Sequence, residues 1–331
     1  MSRRSLRVAI VGCGLIGRKR AEALGQDELV GCYDKRPEAA HALTADFGGV
    51  TCLTLEELLA LQPDVVVAAV IHSGLADVAC AALRINAHVL VEKPAGIGVA
   101  DVDRIASVAQ STGRLVKVGF NHRFHPGIRR AVTEALSGVY GDVMFARARY
   151  GHGGRPGYDR EWRSDPSQSG GGEVIDQGMH LLDLFFWLFG DLPLHSSLLR
   201  THFWDAPVDD NAVLVLGDRG GVGCSSPWAL LHVSWTEWKN LFSLEIYCRK
   251  AKFAVDGLVR SYGAQQLRIY RMGPDLGPPE IEEIQYPERD DSWLREWEHF
   301  TDAITTGSGE SLLGDLSSAR YAWRCIEEAQ R

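Results

Sequence analysis

The sequence feature that most constrains the fold is an apolar strand that leads directly into a glycine loop and then a helix. The strand covers Leu6 to Val11, the helix starts near Arg18, and the loop between them reads Gly12-Cys13-Gly14-Leu15-Ile16-Gly17. In a G-x-G-x-x-G loop the first glycine permits a tight turn, the second lets the backbone approach a pyrophosphate, and the third lets helix pack on strand. The helix N-terminus then faces the phosphates. This segment therefore predicts a dinucleotide-binding βαβ unit.

The residues after the second strand bear on which cofactor binds. Asp34 ends that strand, and a carboxylate there accepts hydrogen bonds from the ribose hydroxyls of an adenosine. Its charge repels a 2′-phosphate, which favours NAD. Lys35 and Arg36 follow immediately and could pair with that phosphate, so NADP remains the alternative. S-adenosylmethionine enzymes also combine a glycine loop with such an acid, so the loop alone does not identify the ligand.

The pattern of strands and helices changes along the chain. As far as Val118, continuous apolar runs alternate with helical patterns, which is typical of a parallel sheet covered on both faces. Later strand-like segments follow one another with few helices between, which predicts a mainly antiparallel sheet. The length of 331 residues suits two domains. We expect an α/β protein with an N-terminal Rossmann domain over residues 1–123. An α/β domain with an open, mainly antiparallel sheet should cover residues 124–331, including the closing C-terminal helices.

Composition excludes several classes of partner. The formal net charge of −8 argues against a general electrostatic hold on nucleic acid or anionic lipid. No apolar run reaches the ~20 residues that span a bilayer. The basic residues of Met1-Ser2-Arg3-Arg4 precede no signal-peptide core. The seven cysteines are scattered without a C-x-x-C pair, as expected for reduced thiols. These features predict a cytoplasmic protein without a nucleic-acid or membrane partner.

A lysine follows the fourth long apolar strand. The segment Val89-Leu90-Val91-Glu92-Lys93-Pro94 places Lys93 at a strand's carboxyl end, where ligands bind in open α/β sheets. A lysine in such a place can act as an acid, a base or a hydrogen-bond donor. Pairing with Glu92 is the structural alternative.

Two polar residues stand out on an apolar helix predicted from about Glu173 to Phe189. Asp176 and His180 are four residues apart and so share a face, close to Asp183. Polar groups on a helix this apolar should meet partners or a ligand. A structural His–Asp hydrogen bond is the other interpretation. No third ligand stands at a spacing that suits a metal, so we expect none.

The residues before this helix also carry possible binding groups. The run Gly170-Gly171-Gly172 predicts a mobile segment that leads into this helix. In the polar segment from His152 to Arg163, Arg155 and Arg163 could recognise a carboxylate or phosphate, and Trp162 could pack against a sugar ring. A solvated loop with a core tryptophan is the alternative.

Four segments, in this order, resemble the glucose–fructose oxidoreductase / inositol dehydrogenase / MocA family. They are the Glu92-Lys93-Pro94 triplet, Gly119-Phe120-Asn121-His122-Arg123-Phe124, the D-x-x-x-H pair of Asp176 and His180, and the closing region Trp293 to Glu328. The resemblance spans nearly the whole chain. One departure lies near Val70, where relatives carry a Thr-Pro-rich turn and then a histidine. Leu75 occupies that place, so it is assigned no cofactor role.

The resemblance implies an NAD(P)-dependent oxidoreductase that acts on a secondary CH–OH carbon of a sugar, cyclitol or sugar derivative, nucleotide sugars and uronates included. It implies Lys93, Asp176 and His180 as the catalytic group. The expected cofactor contacts are Gly12, Gly14, Leu15, Ile16, Gly17, Asp34, Lys35, Arg36, Ala69, Val70, Glu92, Lys93 and Asn121. The expected substrate contacts are Lys93, Asn121, Arg123, Arg155, Trp162, Arg163, Asp176 and His180.

Relatives of this kind use the free sheet face to assemble, so a homodimer or homotetramer is implied. Two other functions stay open on the same fold. One is a non-catalytic NAD(P)-binding sensor, which would have no use for the proton-transfer group. The other is a reductase of a diol, an imine or a tetrapyrrole.

Overall fold

The computed structural model describes residues 4–308 and 312–331. The chain divides into two compact units. The first comprises Met1–Asn121 and Trp293–Arg320, and the second comprises His122–Ser292 and Tyr321–Arg331. Among the described residues, no helix combines the length and the hydropathy that crossing a membrane requires.

The first unit contains a six-stranded parallel sheet. Its strands are β1 (Arg7–Val11), β2 (Glu28–Tyr33), β3 (Val50–Thr51), β4 (Val65–Ala68), β5 (His88–Val91) and β6 (Val116–Val118). Their order is β3-β2-β1-β4-β5-β6, the doubly wound order whose direction reverses between β1 and β4. The helices between them are α1 (Leu15–Glu22), α2 (Pro37–Phe47), α3 (Leu55–Ala60), α4 (His72–Arg84) and α5 (Val99–Thr112). The predicted Rossmann sheet is confirmed.

The second unit contains an eight-stranded mixed sheet. Its strands are β7 (Val143–Gly151), β8 (Leu194–Arg200), β9 (Asn211–Gly217), β10 (Trp228–Ser234), β11 (Leu241–Cys248), β12 (Ala251–Asp256), β13 (Gln266–Arg271) and β14 (Glu280–Gln285). The order is β14-β13-β12-β11-β7-β10-β9-β8. All neighbours are antiparallel except β7 and β10, so the predicted, mainly antiparallel sheet is confirmed.

One face of the eight-stranded sheet is covered by helices. The helices before the C-terminal region are α6 (Pro126–Ala135), α7 (Pro166–Ser169), α8 (Glu173–Asp176) and α9 (Gly178–Phe189). Of these, α6, α8 and α9 pack on the sheet. Side chains of neighbouring strands form a stacked row, in which the ring of Phe145 lies 4.8 Å from that of Trp228 and 4.2 Å from that of Tyr247. Trp228 is partly exposed, and the exposed side chain of Arg147 lies against the Tyr247 ring.

The closing helices are α10 (Ser292–Thr306) and α11 (Leu316–Ala329). The prediction that this whole region completes the second domain is corrected, because residues 293–308 and 312–320 group with the first unit. Trp297 Nε1 donates to Asp27 Oδ2 at 2.8 Å, and Trp297 and Phe300 lie in the same apolar core as Ile10 of β1. The amphipathic pattern of α10 indicated a buried face without showing which unit buries it.

Candidate cofactor and active site

The glycine loop of the first unit has the packing that its motif requires. Gly12 has a φ of +93°, and a Cβ there would lie 2.4 Å from the Ala69 carbonyl oxygen. A Cβ on Gly17 would lie 2.0 Å from the Gly12 carbonyl oxygen, whereas one on Gly14 would meet nothing within 4 Å. Close packing thus explains the outer glycines, and Gly14 leaves its surroundings open to a pyrophosphate. The helix α1 starts immediately afterwards at Leu15, so its N-terminal amides are available to phosphate.

Asp34 is fixed beside this loop by backbone hydrogen bonds. Its Oδ2 accepts from the Cys13 amide at 2.7 Å, and its Oδ1 accepts from the Arg36 amide at 2.8 Å. Each carboxylate oxygen can accept a further hydrogen bond, which suits a pair of ribose hydroxyls. The exposed Arg36 side chain lies 3.8 Å from Asp34 Oδ1. At the end of the neighbouring strand β4, the Ala69 amide donates to the Val11 carbonyl oxygen at 2.7 Å. Ala69 and Val70 therefore border the glycine loop. The residues present therefore fit an adenine dinucleotide.

Glu92, for which we expected a cofactor contact, has a structural partner, and the cofactor contact stays a prediction. Its carboxylate accepts from Arg20 Nε at 2.6 Å, and Arg20 Nη1 reaches Glu296 at 2.7 Å. All three side chains are buried. This ion pair anchors the end of β5, directly before Lys93. It also weighs against the alternative in which Lys93 exists only to neutralise Glu92.

Asp176 and His180 do not share one continuous helix, which corrects the prediction. The short helix α8 ends at Asp176, Gln177 has a φ of −107°, and α9 starts at Gly178. The start of α8 is held by Asp209, whose carboxylate accepts from the amides of Gly172 and Val174. The glycine run is therefore anchored at this point, where we had expected a mobile approach. Asp176 thus closes one helix, and His180 lies in the first turn of the next.

The imidazole of His180 is buried and stacked on a second imidazole. The rings of His122 and His180 lie 3.9 Å apart at an interplanar angle of 26°, and both residues are buried. Tyr150 packs beside both imidazoles, with its ring centroid 5.2 Å from that of His122 and 6.3 Å from that of His180. This packing fixes the orientation of the His180 ring. The sequence marked His122 only as part of a connecting segment, and nothing in its spacing pointed to His180.

Asp176 receives two contacts from the segment that precedes it. The Tyr158 hydroxyl donates to Asp176 Oδ2 at 3.3 Å, and Arg163 Nε lies 3.6 Å from the same oxygen. Burial, with the nearby Asp176 carboxylate, raises the pKa of Tyr158, so this phenol is a hydrogen-bond donor at neutral pH. The structure thus brings Arg163 to the predicted site and adds Tyr158, which the sequence analysis missed.

A second set of buried groups lies close by and was also missed. Gln177 Nε2 donates to the Tyr262 hydroxyl at 3.0 Å, and the rings of Tyr150 and Tyr262 are 5.3 Å apart. Burial raises the pKa of both phenols, and the carboxylate of the fully buried Glu173 adds to the effect at Tyr262. The only available sequence signal was the acidic pair of Glu173 and Asp176, because Tyr262 lies far along the chain.

One group of side chains in the described part of the chain has a metal-like arrangement. Donor atoms of His152, Glu173 and Asp176 all lie within 4.8 Å of one another, so the structure supplies the third ligand type that sequence spacing did not reveal. However, His152 Nδ1 accepts a hydrogen bond from the Gly154 amide at 2.9 Å. A neutral imidazole that accepts at Nδ1 carries its proton on Nε2, and a protonated nitrogen cannot bind a metal. We therefore interpret His152 as a hydrogen-bond donor in this group.

Arg123, for which we predicted a substrate contact, has a structural partner, and its role toward a substrate stays a prediction. Arg123 is buried and forms a two-pronged ion pair with Asp183, at 2.8 Å from Nε to Oδ2 and 2.7 Å from Nη2 to Oδ1. Its guanidinium also lies over the Trp187 ring. Asp183 is fully buried, so the polar group predicted to meet a partner on this helix meets Arg123. The arginine holds α9 to the segment that begins the second unit.

The remaining predicted substrate residues differ in exposure. Arg155 is largely exposed and pairs with Glu161 at 2.6 Å. Trp162 lies under the Arg163 guanidinium, 4.5 Å from its ring centroid. Asn121 is buried at the end of the first unit. Their roles toward a ligand stay predictions.

The strand order, the glycine loop and the fixed acid define a dinucleotide-binding protein with a second, open-sheet domain. Residues 6–120 match the oxidoreductase family with an NAD-binding Rossmann fold, and residues 128–254 match the GFO/IDH/MocA C-terminal domain. The chain therefore belongs to the GFO/IDH/MocA family of oxidoreductases, and the resemblance inferred from the sequence is confirmed.

Curated relatives include the D-glucoside 3-dehydrogenase of Escherichia coli (strain K12), 28% identical over 197 residues, which are 57% of this chain and 56% of the relative. The dTDP-3,4-didehydro-2,6-dideoxy-alpha-D-glucose 3-reductase of Actinomadura kijaniata is 28% identical over 236 residues, 69% of either chain. The match thus spans little more than half of the E. coli relative's length.

Solved structures match along nearly the whole chain. The UDP-N-acetylglucosamine 3-dehydrogenase of Acidithiobacillus ferrooxidans has a TM-score of 0.81 and 20% identity, covering 99% of this chain and 97% of its own. Levoglucosan dehydrogenase, in complex with NADH and levoglucosan, has a TM-score of 0.85 and 17% identity, covering 98% and 97%. At these identities the likeness establishes the fold alone.

Proposed function

We propose that the protein is an NAD(P)-dependent oxidoreductase that transfers a hydride between the nicotinamide and a secondary CH–OH carbon of a sugar, cyclitol or sugar derivative. The observation that carries this proposal is the arrangement around Asp176 and His180 in a family with an NAD-binding domain. A stacked, buried imidazole lies one turn beyond a carboxylate that a tyrosine and an arginine hold in place. Relatives named as sugar dehydrogenases and a sugar reductase support the substrate class.

Each residue of the proposed catalytic group has its own task. On oxidation, His180 takes the proton of the substrate hydroxyl as the C=O bond forms, and Lys93 hydrogen-bonds the same oxygen. Asp176, held by Tyr158 and Arg163, binds a neighbouring hydroxyl. The two roles can be exchanged between His180 and Lys93. A bound nicotinamide would supply the hydride acceptor for this oxidation.

The cofactor and assembly proposals follow from other parts of the chain. We infer a preference for NAD, because Asp34 is fixed where ribose hydroxyls would bind and its charge repels a 2′-phosphate. We also infer a homodimer or homotetramer through the face that carries Phe145, Trp228 and Tyr247, because stacked aromatic side chains at a sheet surface favour association. A cytoplasmic location remains an expectation from cysteine usage.

A substrate panel tests the activity itself. Purified protein is mixed with sugars, cyclitols and nucleotide sugars, and the formation or loss of NADH absorbance is followed. With the substrate so found, Lys93→Met should lower turnover by roughly 100-fold or more, the usual scale for a positioned acid or base. NADH affinity should change little, because the main effect of Lys93 is expected in the reaction itself. Lys250→Met, at an exposed position, is the matched control.

The histidine provides a separate test. His180→Ala should slow turnover and flatten the rise of oxidation rate with pH, a rise that belongs to the coupled Lys93–His180–Asp176 group. Equal rates and pH profiles in the variant and the wild type would remove His180 from the mechanism. NADH binding with no turnover on any polyol would favour a sensor.

A further inference from the structure

Aromatic side chains of the second unit form a continuous series that starts beside Asp176 and ends at the surface. Tyr158, hydrogen-bonded to Asp176, lies 5.7 Å from the ring of Trp204. The ring of Trp204 lies 5.2 Å from that of Phe203, which in turn lies 4.9 Å from that of Trp238. Tyr158 is buried, whereas Phe203 and Trp238 are 59% and 69% exposed. The series therefore connects the proposed reaction site with an open aromatic surface.

The loop that carries the middle of this series is held by a buried acid. The Asp210 carboxylate accepts hydrogen bonds from the amides of Phe203 and Trp204 at 2.7 and 3.0 Å, and Asp210 is fully buried. Trp204 Nε1 donates to the Trp235 carbonyl oxygen at 3.1 Å. The positions of these rings are thus set by backbone and side-chain hydrogen bonds, as in a preorganised binding surface.

The exposed end has the shape of a ring-binding corner. The rings of Phe203 and Trp238 meet edge to face at 78°, which leaves aromatic surface of both open to solvent. Aromatic faces of this kind bind flat or weakly polar rings by stacking. Arg155, which we first assigned to anion recognition, is paired with Glu161. This pairing favours a neutral ring over a charged diphosphate.

We propose that Phe203 and Trp238 form a subsite for a second ring that is linked to the sugar reacting at Asp176. The proposal rests on the proposed function and adds the substrate class to it: a glycoside whose aglycone or second sugar is a ring. A nucleotide sugar would present its base to the same surface, and the experiment separates the two sources.

The test compares ligands with and without a second ring. The enzyme, saturated with NADH, is titrated calorimetrically with methyl β-D-glucopyranoside, 4-nitrophenyl β-D-glucopyranoside and UDP-glucose. The variants are Trp238→Ala and Phe203→Ala, and Val139→Ala is the control because it removes an apolar side chain that is 69% exposed, as Trp238 is, elsewhere in the second unit. We expect the two test variants to bind the nitrophenyl glucoside about 5- to 100-fold more weakly than the wild type does. Binding of the methyl glucoside should not change.

The other outcomes are equally defined. An effect restricted to UDP-glucose would contradict the glycoside class, because the ring bound by Phe203 and Trp238 would then be a nucleotide base. Equal losses for the methyl and nitrophenyl glucosides, no loss in either test variant, or no binding of any probe by the wild type would overturn the proposal. So would a change of mass in light scattering of Trp238→Ala without a change in ring preference, since the patch would then be a subunit contact. If ligand binding overturns the subsite while the wild type still oxidises or reduces a substrate with NAD(H), the proposed function stands and only the subsite fails.

Discussion

Replacing Arg20 by methionine should destabilise the first unit strongly, because it leaves acids buried without their cation. Arg20 is 1% exposed and contacts Glu92 at 2.6 Å and Glu296 at 2.7 Å. Lys117, 3.5 Å from Glu296, still compensates one of the two acids in the variant. Removing one member of a buried ion pair typically costs about 3–5 kcal/mol. We expect Arg20→Met to lower the free energy of unfolding by that amount.

An exposed ion pair of the same length supplies the control. Arg320 Nε lies 2.6 Å from Asp103 Oδ1, the same distance as in the buried pair, but the two side chains are 51% and 49% exposed. Because solvent screens such a pair, Arg320→Met should cost only about 0–1 kcal/mol. Both variants are compared with the wild type by urea unfolding, followed by circular dichroism.

A double variant separates the ion pair from lost packing. If the cost arises from the uncompensated acid, adding Glu92→Gln to Arg20→Met should recover part of the lost stability. The Arg20 guanidinium also lies 4.4 Å from the centre of the Trp293 ring. That contact is lost in Arg20→Met and in the double variant alike, so it does not affect the comparison between them. If Arg20→Met and Arg320→Met cost the same within about 1 kcal/mol, the reasoning from burial is refuted.

Three further predictions concern single side chains. Burial and a neighbouring arginine lower the pKa of His88 to about 4, while its Nδ1 accepts from the Leu115 amide. Stability should therefore be lost as the pH falls below about 6.5, and between pH 7 and 5 the wild type should lose about 1 kcal/mol more than His88→Asn, which retains an acceptor. Arg123→Met should lower the free energy of unfolding by about 3–5 kcal/mol, because it leaves the buried Asp183 carboxylate without its cation. NADH affinity should not change. A raised KM at unchanged stability would instead support a substrate contact for Arg123. In fluorescence titrations, Asp34→Ser should bind NADPH more tightly relative to NADH than the wild type does, and a wild type that already prefers NADPH would contradict the assignment of Asp34.

The first unit could be predicted closely because its signals are local. Strands buried on both faces read as continuous apolar runs, and all four residues of β4 are buried. The spacing of the glycines in the loop predicted its geometry, and the close backbone contacts at Gly12 and Gly17 agree with that geometry. Each of these features depends on residues that are neighbours in the chain.

The edges of the second sheet gave no comparable signal. β8 and β14 are mostly exposed, so they lack the alternation of apolar and polar residues by which a half-buried strand is recognised. The position of α10 could not be predicted either, because its contact from Trp297 to Asp27 joins residues that are 270 positions apart in the sequence. Periodicity reports that a face is buried and does not report what buries it.

In the candidate site, too, the sequence identified candidate residues but not the residues that they contact. Spacing identified Asp176 and His180, but the break at Gln177 and the stack on His122 depend on tertiary packing. Arg123 and Arg163 both looked suitable for a substrate, and only burial and distance separate them. Arg123 is enclosed with Asp183, whereas Arg163 lies 3.6 Å from Asp176. Asp183 is fully buried and Asp176 has a 17% exposed side chain, so Asp176 is the one of these two aspartates that a substrate hydroxyl can reach.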